Sequence, residues 1–373
     1  MLEFLPDAVR TILAFVVVLG VLIFFHELGH YLAARWRGVH VDVFSIGFGR
    51  ALASWTDRKG TEWRLAWIPL GGYVKLHGQI PLGDMPDPEA QTENLRPGET
   101  FHDKRVRDRA IIVAAGPIAN FVLAAVLFAG LYATHGVPRG MTTITAVAAG
   151  SAAEAGGLQP GDSILALDGQ RVTRFDQVQR HIQPRAGQPV EIRLDRDGRE
   201  VTLRVTPGAR PGSEAAPVGM LGVQGGQGRF ERLDPFSASL AGTVQVWDMS
   251  VATLVGLWEM ITGQRSARDL GGPIRIAEVS GEAAGLGIVP LVNLMALLSI
   301  SLALLNLFPI PLLDGGHLMF YAAEAIRGRP LPLRAMEYGF RAGFALLISL
   351  FVFATWNDIA HGGIGRWVSG LLG

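Results

Sequence analysis

Four apolar runs, each close to or beyond the length of a membrane crossing, restrict what this chain can fold into more than any other feature. A helix needs about 20 residues to cross a hydrocarbon core, and Thr11–Phe25, Ala110–Ala133, Gly285–Leu313 and Ala342–Trp356 reach or approach that length without a charged side chain. The first can continue as one helix to Ala34. Pro309 and Pro311 must break the third near its end. A further candidate, Ser237–Trp258, carries Asp248 and is expected to lie on the surface as an amphipathic helix. Composition points the same way. Of 373 residues, 49% are hydrophobic and only 18% charged, too apolar for an ordinary soluble two-domain protein.

Charge sets orientation and excludes partners. Lys plus Arg and Asp plus Glu number 33 each, so no basic excess advertises a nucleic acid. Arg35, Arg37 and Arg50 follow the first run, and Lys104, Arg105, Arg107 and Arg109 precede the second. The loop 35–109 is therefore expected in the cytoplasm. Arg327, Arg329, Arg334 and Arg341 place the link between the third and fourth runs there too, whereas only Arg10 and Arg366 lie near the termini, which are expected outside. A secretory-signal reading of the first run is disfavoured, because Glu3, Asp7 and Arg10 give no positive excess before it. With no cysteine, thiolate zinc sites, iron–sulfur clusters and cysteine nucleophiles are excluded. Any metal must sit on His, Asp or Glu.

Between the second and third runs the pattern changes to short strands. Glu191–Leu194 and Val201–Val205 alternate, with turns expected at Asp168-Gly169 and Asp197-Gly198. The stretch Gly150–Gly169 resembles a PDZ domain where a helical turn leads into a strand, and such domains bind extended peptide at a sheet edge. Pro207–Gly228 reads as a Gly/Pro-rich linker, with Gly219–Val223 able to return as a final strand. The chain divides into an N-terminal transmembrane part (1–136), the PDZ-like segment (137–230), an amphipathic linker (231–284) and a C-terminal transmembrane part (285–373).

His26-Glu27-Leu28-Gly29-His30 is an H-E-x-x-H motif inside the first helix. Residues four apart share a helix face, so both imidazoles can reach one ion while Glu27 stands beside a metal-bound water. The bland alternative, two histidines and a stray carboxylate on a helix face, conflicts with the cost of about 2.5 to 3.5 kcal/mol for burying one acidic side chain at membrane depth. Catalytic zinc takes three protein ligands. The candidate third ligand is Asp314, in Asn306-Leu-Phe-Pro-Ile-Pro-Leu-Leu-Asp-Gly-Gly-His317, where an apolar helix meets two prolines and two glycines. Broken helix at membrane depth is tolerated only where protein or a wet cavity satisfies its backbone. Asp314 could instead cap the next helix, and His317 competes as a ligand or as a donor behind the ligands.

These features resemble the site-2-type intramembrane metalloproteases, most nearly the bacterial regulator-of-sigma-E type, over nearly the whole chain. Phe44–Gly49, Pro69–Lys75 and Ala115-Gly-Pro-Ile-Ala-Asn120 add to the likeness. The resemblance implies Zn2+ on His26, His30 and Asp314, Glu27 as catalytic base and Asn306 facing substrate. It also implies a bacterial inner-membrane protein with both termini and the PDZ-like domain extracytoplasmic. The implied fold is an α-helical membrane protein with about four transmembrane helices, a membrane-associated β-hairpin and one inserted PDZ-like domain, where some relatives carry two. The expected partners are the lipid bilayer and single-span membrane protein substrates, with peptide tails or pre-trimmed substrates at the PDZ-like domain. Thr61–Leu76 reads as two short strands about a Gly71-Gly72 turn, and an edge there, with Tyr73 and Val74, could hold an unwound substrate by strand addition. A hairpin that merely covers the site is the alternative. Two rivals come from other classes. A silent PDZ-bearing scaffold predicts no zinc and no effect of Glu27→Gln, and a transporter predicts flux.

Overall fold

The computed structural model describes residues 6–78, 98–139, 142–209, 218–225, 229–263 and 271–361. These form two compact units, one of Met1–Leu131 with Pro235–Gly373 and one of Tyr132–Asp234.

In the first unit, α1 (Asp7–Trp36) is continuous through the H-E-x-x-H motif. It packs antiparallel to α2 (Val106–Thr134). Small residues set their closeness: a Cβ at Gly29 would overlap the Ala115 carbonyl oxygen and the Ala119 Cβ. Such contacts substitute for the hydrophobic drive that is missing between helices in lipid. Between them run β1 (Val41–Thr56) and β2 (Glu62–Leu76), an antiparallel hairpin folded back so that the start of β1, Val43–Ile46, is flanked by both Glu62–Leu65 and Gly72–Lys75 of β2. Thr56 pairs with Glu62 at the tip, and Ser45 with Tyr73 and Ile46 with Gly72 at the base. Gly71-Gly72 is accordingly not the turn between two strands of Thr61–Leu76. It is a kink within β2, and the partner strand is β1. Phe44 fastens the base to α1, with ring centroids 6.0 Å from Tyr31 and 4.4 Å from Trp63.

The second unit contains β3 (Val137–Arg139), β4 (Ile144–Val147), α3 (Ala152–Ala155), β5 (Ser163–Leu167), β6 (Gln170–Arg171) and α4 (Phe175–Ile182). It continues with β7 (Val190–Arg196), β8 (Arg199–Val205), β9 (Gly208–Ala209), β10 (Gly219–Met220), β11 (Val223–Gly225) and β12 (Arg229–Glu231). A four-stranded sheet in the order β6-β5-β7-β8 buries Ile164, Leu167, Ile192 and Leu194 against Val178 and Ile182 of α4. The two expected turns are present. Asp168 and Gly169 have φ of 47° and 78°, and Asp197 and Gly198 of 53° and 79°, the left-handed pair that a tight hairpin demands. Part of the expected linker, 210–217 and 226–228, lies outside the described residues, as does Arg366. Gly219–Val223 does return, its ends pairing as β10 and β11.

The chain re-enters the first unit as α5 (Pro235–Ile261), followed by α6 (Pro273–Leu286), α7 (Ile288–Leu307), α8 (Asp314–Arg327) and α9 (Leu333–His361). Two expectations change. The described residues hold five helices long and apolar enough to cross a membrane, not four, because α5 qualifies over its 27 residues; single acids at 248 and 259 do not outweigh so much apolar surface. The third run is also shorter than Gly285–Leu313. Gly287, at φ 116°, separates α6 from α7, and Phe308 ends α7 with extended backbone before the two prolines.

Candidate metal centre

Three side chains from two helices converge at one point. His26 and His30 lie one turn apart on α1, and Asp314 opens α8, where a carboxylate is favoured by the unpaired N–H groups of the first turn. The break before it is packed in protein. Cβ atoms at Gly315 and Gly316 would strike the carbonyls of Leu307, Phe308 and Ile310, and one at Gly343 would strike that of Pro311. Leu312 has φ 88°, a left-handed conformation that side chains rarely adopt and that a surrounding structure must impose. Gly116 of α2 makes room for the imidazoles, since a Cβ there would overlap both rings.

The His26 and His30 Nε2 atoms are 3.3 Å apart, and the Asp314 Oδ2 lies 3.2 Å from the first and 3.5 Å from the second. Zinc–ligand bonds of 2.0–2.2 Å in a tetrahedron place neighbouring ligand atoms about 3.3 Å apart. The triangle therefore has zinc dimensions. The donor set of two imidazoles and a carboxylate suits that ion, and Asp314 Oδ2 is buried with no hydrogen-bond donor, as an oxygen reserved for a cation would be. Among the described residues this is the one such group of three.

The second ring nitrogens are controlled from α2. His30 Nδ1–H donates to the Ile112 carbonyl at 2.9 Å, which fixes the tautomer with Nε2 free for an ion. The His26 Nδ1 lies 3.2 Å from the Asn120 side-chain amide. Asn120 is fully buried and its Oδ1 is otherwise unpartnered. As placed, Nδ2 faces Nδ1; an ion on Nε2 needs Nδ1–H, and the flipped amide, with Oδ1 accepting, would then do for His26 what Ile112 does for His30. The Ser299 hydroxyl of α7 donates to the Asn120 carbonyl at 2.8 Å and ties a third helix to this pair.

Glu27 is 8% exposed beside the histidines, and its Cγ is the near neighbour of Gly72 on β2, where a Cβ would come within 3.0 Å. Gly71, at φ 141°, abuts the Phe48 ring, and Tyr73 stacks on Phe48 at 6.2 Å. Val74 packs in the core beneath. The base of β2 thus borders Glu27, and its outer edge has no strand partner among the described residues. Neither Asn306 nor His317 belongs to the three-residue cluster. The Asn306 Nδ2 donates to Leu302 one turn back at 3.0 Å, and the His317 ring sits 5.5 Å from Phe340 and 6.4 Å from Tyr321.

Known proteins resemble this chain over nearly its whole length. The model of peptidase family M50 matches residues 14–350. A Rhizobium meliloti protein whose name includes the words zinc metalloprotease is 43% identical over 94% of this chain and 96% of its own length. One from Agrobacterium fabrum with the same words in its name is 40% identical over 94% and 95%. Metalloprotease MmpA of Caulobacter vibrioides is 39% identical over 95% and 96%.

Proposed function

Because the chain belongs to peptidase family M50, we propose that it is an intramembrane zinc metalloprotease that cuts the transmembrane segments of single-span membrane proteins, in regulated proteolysis of anti-sigma factors or removal of signal-peptide remnants. The observation that carries this is the triangle of His26, His30 and Asp314, of zinc dimensions and set among long apolar helices.

Bound there, zinc supplies a Lewis acid that acidifies water and polarises a peptide carbonyl. His26, His30 and Asp314 would hold it. Glu27, adjacent in sequence to His26 and buried, takes the proton of the attacking water and passes it to the leaving amine nitrogen. To Asn306, on the last turn of α7, we assign the offering of its amide to the substrate backbone in exchange for its bond to Leu302. A transmembrane substrate is a helix whose carbonyls are all bonded, so unwinding it needs replacement partners. The unpaired edge of β2 at Gly71, Gly72, Tyr73 and Val74, next to Glu27, supports capture by strand addition.

Orientation follows the loop charges, with residues 35–109 cytoplasmic and both termini and the inserted unit outside a bacterial inner membrane. Four crossings, by α1, α2, α7 and α9, are compatible with the fifth apolar helix. Gly281 of α6 abuts Thr11 near the start of α1, and Gly272 abuts Ala354 near the end of α9. The chain therefore leaves α2 and reaches α6 on the same side. Were α5 a crossing, residues 262–271 alone would have to return through about 30 Å of hydrocarbon. The inserted unit we read as PDZ-like, a filter that admits pre-trimmed substrates or a site for peptide tails.

The deciding experiment uses purified wild type and Glu27→Gln with a single-span model substrate. Zinc content should be equal, and the variant should cleave at least 10²-fold more slowly, as loss of a general base requires. A chain without zinc, and without a difference between the two, would be a scaffold instead.

A further inference from the structure

The helices that hold the histidines also form a groove on the side away from them. It measures about 700 Å³ and runs between α1 and α2, from Trp36 and Ile111 to Phe25 and Val126. At 1.5 Å per residue the α2 wall is roughly 22 Å long. The floor is small, at Gly29, Ala115 and Ala119, while Leu32, Ile118 and Val122 stand exposed along the rims. Every lining residue is apolar.

The two ends differ. At one, Trp36 is 71% exposed and the Arg37 guanidinium lies 4.1 Å over its ring. Arg37 Nε is 3.5 Å from an Asp108 carboxylate oxygen, an ion pair without a hydrogen bond. Arg107 is exposed one turn before Ile111, on the same stripe of α2. An amphipathic indole with two guanidiniums marks the headgroup level of a bilayer, and the sum of the charges there, Asp108 included, is positive. The other end, at Phe25 and Val126, carries no charged residue.

We propose that this groove is a binding site for one anionic glycerophospholipid, its acyl chain along the Gly29–Ala115–Ala119 floor and its phosphate at Arg37 and Arg107. An anionic lipid satisfies both parts of the site. The floor excludes water and polar ligands, and the phosphate provides bidentate acceptors for the guanidiniums. A transmembrane helix, from a substrate or a second copy, would fill the apolar part and leave the cationic end facing nothing. The leaflet agrees, because the positive loops place this end at the cytoplasmic face, where anionic lipids attract basic side chains. The site owes nothing to the protease chemistry. It rests on the apolar helices lying in a bilayer in the orientation proposed above.

The full chain, zinc-loaded and purified in mild detergent, would be exchanged against vesicles of phosphatidylglycerol or of phosphatidylcholine and weighed by native mass spectrometry. Wild type should retain one lipid per chain with at least a tenfold preference for phosphatidylglycerol. The double variant Arg37→Gln, Arg107→Gln should fall to twofold or less, and Ala114→Phe, which narrows the groove, should retain neither lipid, each with unchanged zinc content. Three results would overturn the site: complete loss of lipid from wild type, an undiminished preference in the double variant, or a dimer that dissociates on Ala114→Phe, which would identify the occupant as a second copy. Should Ala114→Phe fail to fold, the double variant decides alone.

Discussion

Asn120 shows how much of a metal centre depends on a residue that never touches the metal. Among the described residues its amide is the one polar group hydrogen-bonded to the His26 Nδ1, and it sets which nitrogen of that ring is free. Asn120→Ala should weaken zinc binding by about 10- to 100-fold, the usual cost of removing such a partner, measured by competition with a chromophoric chelator. Asn120→Asp, which keeps an acceptor in place, should recover most of that loss. The sequence makes His26, Glu27 and His30 legible because helical period alone puts two imidazoles on one face. Asp314 was legible because two prolines and two glycines beside a carboxylate are hard to explain otherwise. Asn120 was visible only as part of a familiar stretch, since its role comes from the register between α1 and α2, and no local pattern encodes that register. Gly116 is a similar case: its need to be small follows from rings that lie 86 and 90 positions earlier in the chain.

The helices and strands carry their own tests. The N-cap of α6 is Gly272, which has no side chain to cap with. Asp358 of α9 does the work from a distance, accepting from Gly272 N at 2.8 Å and from Arg275 N at 3.0 Å. Asp358→Ala should destabilise the helical unit by about 1 kcal/mol, the usual value of a lost cap, read as earlier thermal unfolding in detergent. The edge of β2 makes a sharper prediction. Tyr73→Pro or Val74→Pro removes a backbone N–H, and cleavage should drop sharply while zinc content stays constant; full activity would reject strand addition. Here the sequence was less informative. The alternation of Trp63, Leu65 and Trp67 reveals β2, but Gly47 and Gly49 interrupt the pattern of β1, both at positive φ. A Cβ at Gly47 would meet the Ala66 and Ile68 carbonyls, so the feature that hid the strand is the one that lets it fold over its partner. The fifth apolar helix, expected on the surface because of Asp248, is long and apolar enough to cross, so Asp248 alone does not decide between the two and the neighbours of α6 have to.

Taken together, the two units answer to different conditions. The inserted unit is a small β-rich body whose Asp162 is buried. Burial alone would raise that carboxyl, but the Arg196 guanidinium at 2.7 and 2.8 Å and the Gln159 N–H at 2.8 Å outweigh it and hold it below the ordinary carboxylate range. A carboxyl depressed in the folded state adds stability above its unfolded value of about 3.9 and loses it as pH falls through the folded value. Amide exchange in β5 and β7 of the intact chain should therefore accelerate below about pH 4, and Arg196→Ala should abolish that step. In the helical unit, α8 is fastened twice. Asp314 at its first residue meets the two imidazoles, and Glu324 three turns later pairs with Arg109 of α2 at 2.7 Å, with that guanidinium 5.0 Å over Tyr321. A rod pinned at both ends cannot swing. Whatever lets a polypeptide reach the ion must come from another wall of the chamber, the hairpin or α9, and the carboxylate stays put while the door opens elsewhere.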